Sequence, residues 1–454
     1  SINIEHARLL KNISQTGIKD FTLDRLININ NIYDIFTYSW IEDGMRYAFK
    51  NCWGLKGASG CKEGVVQDLN RLSFLSSISH LRRFNTPLPD TAKIRAPHSL
   101  HATCWGYMCA LESPSGGRVG LRKNMALLSQ ITFGCSGRGL ELCCRTYDML
   151  YFHEVTKQEL YRYPRVFLNE VLIGIHKQPR FFVRMLRANR RNALINIYTS
   201  ISWNIEDNTI HINTYNGRVT RPILIAEKKD LFEIEIGRLE RKEANWYDMI
   251  QGKRKLDQLS NIAKKNKISR YDPYDNAFYY PDILVENIVK QIKSTIKSGT
   301  DYQLEKTFIN NVLLESLEES GGIIEYIDAE ETNTSMIAVY PNQLFADQST
   351  DNYAAVTKYT HCDIHPTLIM GALASIIPFS DSNQLPRNTF STRQAQQSLG
   401  VYASNYANRM DTEGQIIHYG EKALVTTRYE RHLHINKLPY GMNAIVAIIS
   451  YKGY

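Results

Sequence analysis

The sequence predicts an α+β protein of several domains, on three observations. Short apolar runs with strand alternation are interspersed with segments of helical spacing. The chain, at 454 residues, is long enough for two to four separate cores. Its composition also changes abruptly in the middle, between Lys228 and Gly321. Apolar residues make up 43% and charged residues 22%, as in a folded soluble protein.

The first 60 residues alternate amphipathic helical pattern with Asn-rich turns, and Gly54 to Gly64 reads as a flexible basic loop. Val65 to Arg83 has Leu69, Leu72, Leu75 and Ile78 at helical spacing, which predicts one long helix. The prolines and charges of Thr86 to Pro97 predict an exposed loop. Met125 to Ile175 reads as strand-like and aromatic. Phe181 to Asn192 is a helix bearing Arg184, Arg187, Arg190 and Arg191, and Thr209 to Tyr215 alternates as a strand before a turn at Gly217.

Lys228 to Gly321 is Lys-rich around Lys253 to Lys267. Amphipathic helices follow, marked by Ile288, Ile292 and Ile296 and then by Leu304, Phe308 and Val312. This stretch reads as an insertion or accessory domain at the periphery. Beyond it, Ile324 to Ile327, Met336 to Tyr340 and Ala444 to Ile449 are short strands, the last apolar enough to be buried on both faces. The sequence does not begin with Met and stops just after that apolar run, so both ends look cut or separately encoded.

The formal charge of +8 permits a phosphate-rich partner without requiring one. Eight cysteines form no CxxC pair, which suggests reduced thiols and an intracellular protein. No apolar run of about 18 residues marks a membrane span, and the opening lacks the apolar segment of a signal peptide. Phosphate-loop, zinc-helix and nucleophile-elbow motifs are absent. Glu330 and Glu331, adjacent on a strand, would point to opposite faces and make poor joint ligands. His361, Cys362 and His365 have no fourth ligand at suitable spacing. No metal site is expected, and the isolated chain is expected to be inactive.

What the sequence does offer is arginine beside turns. Arg82 and Arg83 leave a helix for a proline loop, and Arg387 follows Pro386 after the turn-rich Ser380 to Gln384. Such guanidiniums suit phosphate oxygens, but they equally suit structural carboxylates or helix ends. The amides Gln67, Gln384, Gln394, Gln396 and Gln397 could reach sugars and phosphates, or be solvated surface amides. The basic run Gly252 to Lys267 could be a nucleic-acid patch or a solvated helix face.

Several long segments add a resemblance. GVVQDLNRLSFLSSISHLRRFNTPL from Gly64, LHATCWGYMCALESPSGGRVGLRKNMAL from Leu100 and THCDIHPTLIMGALASIIPF from Thr360 resemble the second-largest, beta-like subunit of multisubunit DNA-directed RNA polymerases, of the eukaryotic or large-DNA-virus type. So do RMLRANRRNALI, GRVTRPILI, EYIDAEE, NQLPRNTFSTRQAQQSLGV and LPYGMNAIVAIISYKGY, in the same order.

The resemblance implies a first part of the fork at 1–127, external domain 1 at 128–226, and external domain 2 or a helical insertion at 227–325. A return to the fork at 326–380 and the start of the hybrid-binding domain at 381–454 would follow. It implies an internal fragment or a split subunit, with further family segments before Ser1 and after Tyr454.

The function implied is lining the polymerase cleft, positioning DNA–RNA hybrid and incoming NTP. Partners would be the largest subunit and other core subunits, the DNA template, the RNA transcript and NTPs. Mg2+ would be held mainly by the largest subunit. The implied location is the nucleus or, for a virus, a cytoplasmic factory or the virion.

By matched position, Arg387 resembles the arginine that meets the nucleotide's phosphates. Gln67 and Gln397 resemble glutamines along the transcript, and Arg82 and Arg83 the arginine pair beside the fork loop. Glu112, Lys123 and Asn124 fall in the ETPEG and GLVKN signatures that support the active centre. Departures are Ser115 for the second glutamate of ETPEG, Gly117 for the following glutamine, Cys104 for His, His98 for a common Arg, and Gln396 for a cation, with Arg393 nearby. They leave open a divergent, non-catalytic nucleic-acid-binding or scaffold protein.

Overall fold

The computed structural model describes residues 67–86, 88, 94–226, 321–344 and 359–453, with shorter pieces at 42, 45–46, 237, 241, 245–251, 311, 313–315 and 317–319. The early helices, the Gly54 to Gly64 loop and the basic run Gly252 to Lys267 lie outside the described residues. So do the helices marked by Ile288 to Ile296 and by Leu304 to Val312.

Helix α1 spans Phe74–Leu81, not Val65 to Arg83. Its start is set by polar side chains. The Ser73 hydroxyl accepts from the Ser76 amide at 3.0 Å and the Ser76 hydroxyl from the Ser73 amide at 2.9 Å, a reciprocal cap that stops the helix from extending backwards. The earlier leucines therefore lie off the helix. The chain then enters β1 (Arg83–Asn85), antiparallel to β2 (Arg122–Asn124), with Arg83 opposite Asn124. Gly120 turns into β2 at φ +74°, where a side chain would also collide with the His98 carbonyl.

Met125 to Ile175 is not mainly strand. After β3 (Gln130–Ile131) come α2 (Arg138–Thr146), β4 (Leu150–Tyr151) and α3 (Lys157–Arg162), then β5 (Arg165–Leu168) and β6 (Val171–Ile175). Helix α2 buries Leu140, Cys143 and Cys144, a stripe of helical period. Helix α3 begins at a Thr156–Glu159 capping box. Asn169 and Glu170, both at positive φ, make the two-residue hairpin turn.

Helix α4 (Pro179–Arg191) lies over β7 (Ser200–Asn204) and β8 (Thr209–Asn213), close to the boundaries the sequence predicts. The five strands β4, β6, β5, β8 and β7 are ordered thus in one sheet, with β5 and β8 parallel. Phe182, Met185 and Leu186 of α4 pack on Val166, Ile201, Ile210 and Ile212.

The second sheet centres on β9 (Val219–Ile225). Helix α5 (Trp246–Gln251), β10 (Ile324–Asp328), α6 (Ala329–Asn333), β11 (Ile337–Ala338) and β12 (His361–Cys362) complete it, in strand order β10-β9-β12-β11 with β3 also on β9. Glu330 and Glu331 thus sit on a helix rather than a strand. Glu331 is buried, whereas Glu330 is exposed and takes a bond from Asn213.

The flanks of the Lys228 to Gly321 stretch are not peripheral. Met249 and Ile250 belong to the core under β9 and β10, and Leu313, Leu314 and Leu317 to the core under α4. The Ile323 amide donates to the Met249 carbonyl at 2.8 Å. Removing the whole stretch would open both cores, because these side chains fill them.

Helix α7 (Leu385–Gln397) closes against α1, beside a third core of Leu75, Leu373, Ile376, Leu433 and Ile435. The expected buried strand Ala444 to Ile449 does not form. Ile445, Val446, Ile448 and Ile449 are exposed, and no strand among the described residues pairs with them. A strand needs a ladder partner, and apolar composition alone does not supply one.

Arg190, 2% exposed, is the centre of a buried ionic network. Its guanidinium bonds Glu331 at 2.8 and 2.9 Å, Glu325 at 2.9 Å and the Thr199 carbonyl at 2.7 Å. Arg191 and His361 also hold Glu325, at 3.2 and 2.5 Å. Burial opposes charge on Glu325, but Arg191 and Arg190 outweigh it and hold the carboxyl well below its ordinary range. Four elements, α4, β10, α6 and β12, meet in this one network. Arg190→Met should therefore cost about 3–5 kcal/mol, because it leaves two buried carboxylates short of their cation. Denaturant unfolding measures this, and a loss below about 1 kcal/mol would show that solvent reaches the network.

Candidate functional site

The buried stripe of α7 is polar. Asn388, Thr392 and Gln396, four residues apart, face inward, while Arg387, Gln394 and Gln397 are exposed. Pro386 sits in the first turn of this helix, where its missing N–H costs nothing. Arg387 is therefore helical, not in a turn. Its guanidinium lies 5.9 Å from the Phe390 ring centre. Asn388 fixes the approach, donating to the Ser380 carbonyl at 2.7 Å and accepting from Asn383 at 3.3 Å. Gln397 lies ten residues further along, about 15 Å from Arg387 along the axis.

Gln396 clamps the other end of α7. Its amide donates to the Ser79 hydroxyl at 3.0 Å and to Glu112 Oε1 at 3.1 Å, and its oxygen accepts from Arg393 at 3.1 Å. Ser79 donates to the same Glu112 oxygen at 2.5 Å, and the Asn124 side chain donates to the Glu112 carbonyl at 3.1 Å. Ser73 adds a bond to the Gln396 carbonyl at 2.9 Å. Burial pushes the Glu112 carboxyl above its ordinary range, while the bonds from Ser79 and Gln396 pull it back.

Arg82 spends its guanidinium within the chain, on the Ala126 carbonyl at 2.6 Å and the Leu127 carbonyl at 3.2 Å. Arg83, half-buried on β1, lines a small recess with Glu112, Arg122 and Arg393. Gln67 is exposed and joined to α1 through His80. The Asn70 amide donates to His80 Nδ1 at 3.1 Å, so Nε2 carries the proton and donates to Gln67 Oε1 at 3.0 Å. Burial and Arg83 push the His80 pKa down, which suits this neutral ring.

Lys123 on β2 donates to the Gly120 carbonyl. It also lines a cavity of about 430 Å³ between the loop at Glu112 to Gly120 and the first turn of α7, at Leu385, Pro386, Thr389 and Phe390. The candidate residues from four separate sequence segments thus share one neighbourhood on α1, β1, β2, the Glu112 loop and α7. The sequence did not single out Ser79 or Arg122. The only signal for Arg122 was its place beside Lys123.

The His361–Cys362–His365 group does not converge on a metal. His361 is engaged with Glu325, the Cys362 thiol bonds the Asp363 carbonyl at 3.3 Å, and His365 bonds the Thr367 hydroxyl at 2.6 Å. Among the described residues no group of three metal-ligating side chains occurs.

Four family models match the chain in order. They are RNA polymerase Rpb2 domain 3 at residues 67–131, domain 4 at 166–227, domain 5 at 315–366 and domain 6 at 373–454. The chain belongs to the family of second-largest subunits of DNA-directed RNA polymerases. Relatives within the family include DNA-directed RNA polymerase II subunit 2 of Arabidopsis thaliana, 33% identical over 415 residues, which is 91% of this chain and 30% of the relative. Subunit RPB2 of Encephalitozoon cuniculi is 33% identical over 92% of this chain and 31% of its own length. Subunit Rpo2 of Sulfolobus acidocaldarius is 30% identical over 87% and 29%. This member of the polymerase family therefore spans about 30% of the length of the relatives it matches.

Glu112's raised pKa means that its stabilising contribution is full below the ordinary carboxylate range and is lost as pH rises through the folded value. Glu112→Gln keeps an acceptor for Ser79 and Gln396 but does not titrate. Unfolding free energies from pH 4 to 7 should show the variant gaining on the wild type as pH rises, and the opposite slope would refute the assignment. Arg82→Ala should cost about 1.5–3 kcal/mol in the same assay, through two lost charge-assisted bonds. A change within about 0.5 kcal/mol would show that those carbonyls find water instead.

Proposed function

We propose that this chain is part of a DNA-directed RNA polymerase core, lining its active-centre cleft and positioning the DNA–RNA hybrid and the incoming NTP for transcription. The observation that carries the reading is α7. It presents Arg387 at one end and Gln397 at the other, and the buried Gln396–Glu112–Ser79 clamp fixes it to α1 and to the loop that carries Glu112. Arg387 would meet the nucleotide's phosphates, and Gln67, Arg83 and Gln397 would follow the nucleic-acid backbone. Arg82, Glu112, Lys123 and Asn124 would hold the surrounding fork in place.

Mg2+ would be held mainly by the largest subunit, and phosphoryl transfer needs that metal clamp as well as positioning. Partners would be the largest and other core subunits, the DNA template, the transcript and NTPs. Among the described residues no helix is long and apolar enough to cross a membrane. The relatives from eukaryotes favour a nuclear place, with a viral factory or virion as the other setting.

The test is single-nucleotide addition by the assembled polymerase on a preformed scaffold. Arg387→Ala should slow addition by roughly ten- to a thousandfold, about 1.4–4 kcal/mol of transition-state stabilisation, with scaffold affinity barely changed. Arg387→Lys should keep part of the rate, since an ammonium supplies charge without the planar fork. A normal rate in Arg387→Ala would refute the assignment. A wild-type complex that binds scaffold but adds no nucleotide would favour the non-catalytic scaffold reading.

A further inference from the structure

Ser79 and His80, adjacent on the last turn of α1, carry two different anchors. Ser79 donates to Glu112 and accepts from Gln396, so it belongs to the clamp that fixes the far end of α7. His80, half-buried, reaches the other way, to the chain that precedes its own helix. Its Nδ1 accepts from the Asn70 amide at 3.1 Å, and its Nε2 donates to Gln67 Oε1 at 3.0 Å. Gln67 lies 13 residues before His80 in sequence, yet it is held beside the same turn.

The chain between them is folded back by bonds of its own. Ser77 of α1 donates to the Asn70 carbonyl at 2.7 Å, and the Leu72 amide donates to Asn70 Oδ1 at 3.0 Å. With Asn70 fixed, the bond from its amide sets both the tautomer and the plane of the His80 ring. Burial and the charge of Arg83 favour the neutral ring, the state in which Nδ1 can accept. The Nε2–H is then aimed at Gln67. Glutamine is among the side chains that lose most rotamer freedom on being ordered, so ordering it beforehand tightens its contact with a partner. Gln397, next to the clamp's Gln396, is exposed at the end of α7. One turn of α1 therefore sets both glutamines, one through Ser79 and Gln396 and the other through His80.

We propose that His80 is a positioning residue, which holds the Gln67 amide fixed relative to Gln397 for contact with the transcript. The inference rests on the reading in which Gln67 and Gln397 lie along the transcript, and it adds the residue that aims one of them.

The test uses the assembled polymerase on a preformed RNA–DNA scaffold and reads the rate at which labelled transcript is lost. Two conservative variants separate the two bonds of the ring. His80→Gln offers an amide N–H in place of Nε2 and keeps the bond to Gln67, whereas His80→Asn offers an oxygen in place of Nδ1 and keeps the bond from Asn70. His80→Asn and Gln67→Ala should each speed transcript loss about two- to tenfold, the worth of one hydrogen bond. His80→Gln should stay close to wild type. Joining His80→Asn to Gln67→Ala should add nothing to Gln67→Ala alone, because the ring acts through that amide. Equal unfolding midpoints check that the fold is retained. A wild-type rate in His80→Asn beside a raised rate in Gln67→Ala overturns the role of His80 and leaves that of Gln67 standing. So does an additive double variant, which would mean that the ring only anchors the chain at Asn70. A wild-type rate in Gln67→Ala removes Gln67 from the transcript, and the role of His80 with it. A wild-type complex that holds no transcript overturns the polymerase reading itself.

Discussion

Arg190 is the fixed point from which the described structure can be traced. A guanidinium removed from water is tolerable only with its charge and its hydrogen bonds met. Here Glu325, Glu331 and the Thr199 carbonyl, from β10, α6 and the chain entering β7, meet its charge and take bonds from both terminal nitrogens, leaving only Nε without a partner. Because Glu325 also takes Arg191 and His361, helix α4 and strand β12 are locked to the same point. Apolar packing alone would let these elements slide, whereas directional hydrogen bonds at 2.5–3.2 Å to the buried carboxylates restrict them.

The locked sheet extends its order to the candidate site through a short chain of contacts. Asp363, directly after β12, pairs with Arg221 at 2.5 Å and accepts from the Trp105 indole at 3.1 Å. Tyr107 donates to the Ile327 carbonyl at the end of β10, at 3.1 Å. Trp105 and Tyr107 lead into the loop that delivers Glu112, and Glu112 receives Ser79 of α1 and Gln396 of α7. The position of α7, and with it the exposed Arg387, is thus set by polar bonds rather than by an apolar face.

That difference explains where sequence reading succeeded and where it failed. Helix α4 buries apolar side chains at its helical period, β8 alternates and β10 is a short largely apolar run, and their positions were legible. Helix α7 buries Asn388, Thr392 and Gln396, so no hydrophobic stripe announced it and Pro386 suggested a turn. The start of α1 was misplaced because the leucine spacing ran on past a cap made by two serines. The run Ala444 to Ile449 has strand composition, but pairing depends on a partner that composition cannot supply.

The sequence by itself determined the α+β class, the family and the order of the family's segments, because long ordered matches and element periods are properties of the linear chain. It also named the residue types suited to phosphate. Only the tertiary structure decided which arginines are already used. Arg82 is spent on two carbonyls and Arg190 on two carboxylates, while Arg393 is oriented by Gln396 and Arg387 is left exposed. The physical reason is that a guanidinium's role depends on the partners within about 3 Å of it. Those partners come from segments far apart in sequence, which the fold alone brings together.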